Sequence, residues 1–155
     1  MSKNKNEIKE AAPQRFVIDD GSKRVPIINK FGDQIGEFYF TPADIGILER
    51  FRKLEQEAAE ILNPFEKITE GSKMEDMADA MEAARVQLCD VLDKALGYEG
   101  AAARIFGRVH PFTPVGGRFY FEAIMEFIGN EINAAFDEQA AAFEAHTKKY
   151  TEAVK

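Results

Sequence analysis

Few residues of this chain are of a type that does chemistry, and they are scattered. Two histidines, His110 and His146, one cysteine, Cys89, and the acids Glu75, Asp76, Asp79, Glu82, Asp90 and Asp93 are the candidates. Nucleophilic catalysis needs a base beside the nucleophile and a group that binds the oxyanion, and no such set is spaced along the chain. His110 precedes Pro111 in a loop and His146 lies in a polar helical tail. Neither has another His or a Cys at metal-ligand spacing, so both read as ordinary polar residues. Cys89 sits between Leu88 and Asp90 beside a helical seam without a thiolate-stabilising cluster, and reads as a small packing residue. Glu75, Asp79 and Glu82 fit the solvated face of a helix, whereas acid and base work requires a desolvated pair. Gly116-Gly117 is not followed by Gly-Lys-Ser/Thr, so it completes no phosphate loop. What remains is binding. Arg104, Arg108 and Arg118 bracket a Pro/Gly loop and can each grip a carboxylate with a planar fork of donors. No catalytic, cofactor-binding or metal-ligating residue is assigned, and no cofactor is expected.

Composition narrows the partners. At 155 residues, with 45% apolar and 30% charged residues, the chain fits one globular domain. Its 20 Lys and Arg stand against 27 Asp and Glu, a net charge of −7 that disfavours phosphate backbones and so argues against a nucleic-acid partner. A single cysteine excludes an intrachain disulfide and fits a reducing compartment, so a cytoplasmic location is expected. The charged opening MSKNKNEIKEAAPQ lacks the apolar core of a secretory signal, and no apolar run is long enough to span a bilayer, so no membrane partner is expected.

The elements that must position these residues can be read in order. Residues 1–14 have the composition of a disordered tail, and residues 15–155 form the globular part, with a β meander over 15–40 and a helical region over 41–155. Three β-type runs, RFVID, RVPIIN and QIGEFYF, are separated by Asp20-Gly21-Ser22 and Lys30-Phe31-Gly32-Asp33, which predicts a three-stranded antiparallel meander. Pro26 suits an edge strand or a strand end. The strands carry Phe16, Ile18, Ile27, Phe38 and Phe40 and need a helix over one face.

Thr41 as N-cap with Pro42 at the first helical position predicts a helix that buries Ile45, Leu48, Phe51, Leu54 or Ala58, and Ile61 or Leu62, and stops at Asn63-Pro64. Ser72 and Glu75 form a capping-box signature before the seam Met74, Met77, Met81, Ala84, Leu88, Val91 and Ala95. A short helix spans 99–106, and a loop covers 108–117. A long C-terminal helix is predicted over 118–154, with Gly129 as its weak point. Phe106, Phe119, Phe121, Ile124, Phe127 and Ile128 are expected in the core. Along the last helix Phe136, Ala140, Phe143, Thr147, Tyr150 and Val154 recur in steps of four and three. The final turns should project from a compact body, so Phe143 and Tyr150 are candidate partner-binding residues, on a neighbouring copy or another protein. The expected class is α+β: a small antiparallel sheet followed by a mostly helical domain.

These same stretches carry a resemblance. A helix ending in LDKALG, a small-residue helix ending in ARIFGR, then a loop and a helix with FEAIMEF is similar to a pattern in the tail assembly chaperones of long-tailed bacteriophages and prophages. In that family an acidic or polar helix is followed by Phe-Gly, a loop and Phe-Leu-x-x-Ile. The stretch FVIDDGSKRVPIINKFGDQIGEFYFTPADIGILERF also resembles the β-then-helix opening of small members, so the likeness covers residues 16–136. The resemblance implies a non-enzymatic factor of the bacterial host cytoplasm. It would keep the tape-measure protein soluble, help the major tail (tail-tube) protein polymerise around it, and be absent from the finished virion. The alternative is a structural component of the phage tail or neck that is retained in the particle. The acidic, unusually long C-terminal helix departs from some members of that family.

Overall fold

The structure, a computed structural model, describes residues 12–65 and 74–154, and within them the side chains of Met74, Asp76, Tyr150 and residues 152–154 are left aside. Residues 1–11 of the expected tail over 1–14, and Ser72 of the capping box, lie outside the described residues. The chain is α+β. In order it forms β1 (Lys23–Ile28), β2 (Gln34–Phe40), α1 (Ile45–Leu62) with a 3-10 turn (Asn63–Phe65), α2 (Met74–Leu96), α3 (Ala101–Ile105), β3 (Pro114–Val115), β4 (Arg118–Phe119) and α4 (Tyr120–Val154).

The N-terminal sheet has two strands, not the expected three. β1 and β2 pair antiparallel from Lys23 opposite Phe40 to Ile28 opposite Gln34, with an irregularity at Ile27/Ile28. The run RFVID forms no strand. The carboxylates of Asp19 and Asp20 accept the N–H groups of Gly21 and Ser22, local turns that compete with a ladder and leave Phe16 87% and Val17 81% exposed. Ile18 is exposed as well, so Phe16 and Ile18 are not core residues. β1 is therefore an edge strand, and Pro26 blunts it. Tyr39 turns its N–H away from β1 to the Tyr98 hydroxyl. Alternate residues share that direction, so Pro26, opposite Glu37, stands where its missing N–H would have faced the outer edge.

Phe38 and Phe40 are buried against the helices, while Val25 and Ile27 pack on the rim of the same cluster. The approach is close at Gly36, where a Cβ would lie 2.9 Å from the carbonyl oxygens of both Arg104 and Ile105. Glycine there lets β2 rest on the C-terminal turn of α3.

α1 starts later than its proline suggests. Asp44, not Thr41, is the N-cap: its carboxylate accepts the Gly46 N–H, while Thr41 to Asp44 form a turn closed by the Asp44 N–H on the Thr41 carbonyl at 3.1 Å. The core face of the helix is also rotated. Ile47, Leu54 and Ala58 are buried, with Phe51 partly so, whereas Ile45 is 74% and Leu48 47% exposed. At about 100° per residue Ile45 lies almost opposite Ile47, so the expected stripe combined two separate apolar faces.

α2 buries Met81, Ala84, Leu88, Leu92 and Ala95, and Leu92 rather than the half-buried Val91 continues the seam. Gly97, at φ +89°, ends the helix: its N–H and that of Tyr98 both donate to the Asp93 carbonyl. The Asp93 carboxylate then accepts the N–H groups of Gly100 at 3.0 Å and Ala102 at 2.7 Å, fixing α3 to the end of α2. One aspartate thus satisfies donors at two helix ends.

The expected loop over 108–117 contains a hairpin. Gly116 (φ +61°) and Gly117 (φ +84°) form the two-residue turn between β3 and β4. That moves the start of α4 from Arg118 to Tyr120, where the Phe119 N–H donates to Glu122 at 2.6 Å. α4 buries Phe121, Ile124, Ile128 and Ile132 on one face. Phe106 and Phe119 are half-buried. Phe127, expected inside, is 40% exposed because it lies about 100° around the helix from Ile128 and meets Phe38 only edge-on. Gly129 is a packing position rather than a weak point: a Cβ there would lie 3.3 Å from the Phe51 ring. Phe106 and Met125 join the two clusters of the core, one around Ile128 and Leu92, the other around Phe112, Phe121 and Leu88.

Candidate partner-binding surface

The three arginines do not gather into one charged site. Arg104 ends α3 and Arg108 follows in the loop; both are exposed, and neither makes an ion pair among the described residues. Arg118, on β4, already pairs with Glu126 nearly two turns into α4. Phe143 lies about 35 Å along α4 from its first residue at 1.5 Å per residue, so the arginines at its start and the aromatic seam at its end are separate surfaces. Phe143 is 69% exposed; the side chain of Tyr150 lies outside the described residues.

The polar residues around α2 hold the structure together. His110 accepts the Phe112 N–H on Nδ1 at 3.1 Å, which leaves Nε2 to carry the proton and donate to Glu82 at 3.1 Å. Glu82 also receives Arg85 at 2.9 Å. The Arg85 hydrogen bond first, then that of His110, holds the Glu82 carboxyl below its ordinary value. Burial pushes the Cys89 thiol up, against the pull of Arg85, so the thiolate that nucleophilic or metal chemistry needs is disfavoured. No group of three or more His, Cys, Asp and Glu arranged to hold a metal ion is found among the described residues.

The surface that stands apart lies between α1 and α4. A groove of about 970 Å³ is walled by Asp19 to Gly21, by Thr41 and Ala43 to Ile45, and by Phe136, Ala140 and Phe143 of α4. Its floor and ridges are apolar and exposed, chiefly Ile45 and Phe143. Its rim is acidic. Asp44 is held below the usual carboxylate value by the Arg50 guanidinium at 3.0 Å and by the Gly46 N–H, and Asp20 is lowered by its hydrogen bonds to Ser22. A smaller groove of about 380 Å³ continues along the same two helices between Leu48, Phe51 and Arg52 on one side and Met125, Gly129 and Asn133 on the other. Beyond Phe136 every described side chain of α4 is exposed, over residues 137–149 and at Thr151.

Sequence reading located Phe143 but missed the opposite wall. Ile45 and Leu48 were assigned to the core stripe, and the signal that could have separated them is the stronger run Ile47, Phe51, Leu54, Ala58, Ile61, whose steps of four and three already complete a buried face. The arrangement is suited to holding an apolar helix with basic residues at its side. Among the described residues, no helix is long and apolar enough to cross a membrane. Comparison with models of known families, with curated proteins and with solved structures finds no match for this chain.

Proposed function

We propose that this chain is a non-enzymatic tail assembly chaperone of a long-tailed phage or prophage. It acts in the bacterial host cytoplasm by binding the tape-measure and major tail proteins before they assemble. The observation that carries the reading is the likeness of LDKALG, ARIFGR and FEAIMEF, taken with the role these residues have in the fold. Leu92, Ala95, Leu96, Ile105, Phe121 and Ile124 all lie in the core, and Gly97 ends α2. The shared pattern is therefore one that specifies how three helices meet. Exposed apolar residues support the reading further: an acidic domain with Ile45, Leu48, Phe143 and the Phe16–Ile18 segment in water offers docking sites for aggregation-prone clients. Arg104 and Arg108, free of ion pairs among the described residues, are the proposed contacts for client carboxylates.

Co-expression with the tape-measure protein of the same phage tests this. The tape-measure chain should move from the pellet to the soluble fraction and copurify with this protein, and Arg104→Glu with Arg108→Glu should weaken copurification. The protein should be missing from purified tails. Its stoichiometric presence there would instead favour a structural component of the tail or neck.

A further inference from the structure

We infer that the run RFVID, residues 15–19, pairs with the same run of a second copy of this chain as a two-stranded antiparallel ribbon, with the two-fold axis at Val17. The run has strand composition and no strand partner in its own chain. Every residue from Ala12 to Arg24 is exposed, Phe16, Val17 and Ile18 among them. Residues 15–19 make no backbone–backbone hydrogen bond among the described residues, so their N–H and C=O groups are open to a ladder. The turns that Asp19 and Asp20 make with Gly21 and Ser22 keep the run from folding back on β1, whose edge Pro26 blunts.

A two-fold contact is made by the same patch on both partners, so the patch must be its own complement. RFVID meets that condition residue by residue. Antiparallel pairing about Val17 sets Arg15 of each copy opposite Asp19 of the other, Phe16 opposite Ile18, and Val17 opposite its own counterpart. Residues directly opposite in an antiparallel pair point to the same face, and neighbours along a strand point to opposite faces. One face of the ribbon therefore carries Phe16 and Ile18 of both copies and nothing charged. The other carries the two valines flanked by two Arg15–Asp19 pairs. Arg15 makes no ion pair among the described residues, and Asp19 spends only Oδ1 on the Gly21 N–H, so Oδ2 is left for the partner's guanidinium. Other registers lose this match. A slip of one residue sets Phe16 opposite Asp19, or in the other direction Arg15 opposite Ile18, and a parallel pair sets arginine beside arginine. Five residues span about 17 Å, and a two-stranded ribbon of that size is marginal by itself, so the dimer is a weak one, with a dissociation constant of roughly 100 µM. Such a pair covers the Phe16–Ile18 segment, for which a client and a second copy would compete.

Sedimentation equilibrium on the purified full-length chain, up to about 1 mM so as to pass well beyond that constant, tests this without any tail protein, so a failure here leaves the chaperone proposal standing. The parent chain should show a monomer–dimer equilibrium. Arg15→Asp and Asp19→Arg each turn both opposite-charge pairs into like-charge pairs, and each variant alone should raise the dissociation constant by roughly 10-fold. Both positions are exposed, so the thermal melt of each variant should match the parent's. Mixed in equal amounts, the two variants should associate as tightly as the parent, because every acid then faces an arginine again. A parent chain that stays monomeric throughout the range would overturn the inference. So would a dimer that neither substitution weakens, or a mixture that associates no better than its separate components.

Discussion

The two halves of α4 have the same pattern and opposite surroundings. From Tyr120 to Phe136 the apolar positions Phe121, Ile124, Ile128 and Ile132 are buried against α1, α2 and the sheet. From residue 137 onward the described side chains are exposed, although Phe136, Ala140, Phe143 and Thr147 continue the steps of four and three. Periodicity shows that a helix has an apolar face. Whether that face meets the body depends on how far the body extends, and here it ends near Phe136. The first half is held by tertiary packing, which supplies most helical stability in proteins, whereas the second half has only local propensity until something covers it.

The sharpest way to break this comparison is to truncate one aromatic in each half. Phe121→Ala should cost about 3 to 5 kcal/mol in denaturant unfolding, the usual price of a large core cavity. Phe143→Ala should change the monomer's stability by less than about 0.5 kcal/mol. Equal effects would mean that the two halves do not differ in packing.

A second change tests the sheet that closes over the first half. Gly36→Ala places a methyl 2.9 Å from two carbonyl oxygens, so β2 must lift from α3, at a cost of about 1 to 3 kcal/mol even though alanine is otherwise better in a strand. Next in size is Asp93→Ala, which strips acceptors from the Gly100 and Ala102 N–H groups and should cost about 1 to 2 kcal/mol, read from the shift in unfolding midpoint.

The smallest effect concerns acid. The Asp44 carboxyl is lowered in the folded state by Arg50, so its contribution is present above the ordinary carboxylate value and lost as pH falls through the lower folded value. Asp44→Asn keeps an N-cap acceptor but not the charge. Its stability should therefore fall less steeply with acidification over that window than the parent's, as followed by thermal melts at successive pH values.

Much of this fold was legible because local signals and burial agreed. The Asn63-Pro64 stop, the glycine end of α2 at Gly97 and the buried Phe121, Ile124 and Ile128 all follow from spacing and capping. The failures have separate physical causes. RFVID has strand composition, but Asp19 and Asp20 bond their own backbone and no partner strand receives it. Thr41-Pro42 looks like a helix start, but Asp44 is the better cap because its carboxylate reaches Gly46 and is itself held by Arg50. Ile45 and Leu48 were absorbed into a single stripe because spacing alone does not say which of two apolar faces meets the core. Gly129 looked weak because its reason is a neighbour, Phe51, distant in sequence. The groove was hidden for the same reason, since its walls come from three segments that only the fold brings together.

Hydrogen exchange along α4, measured on the intact chain at low protein concentration, tests the contrast most directly. At low concentration, amides from the second turn to Phe136 should be protected close to the global unfolding limit and those beyond residue 137 should exchange far faster. Uniform protection along the whole of α4 would contradict the account.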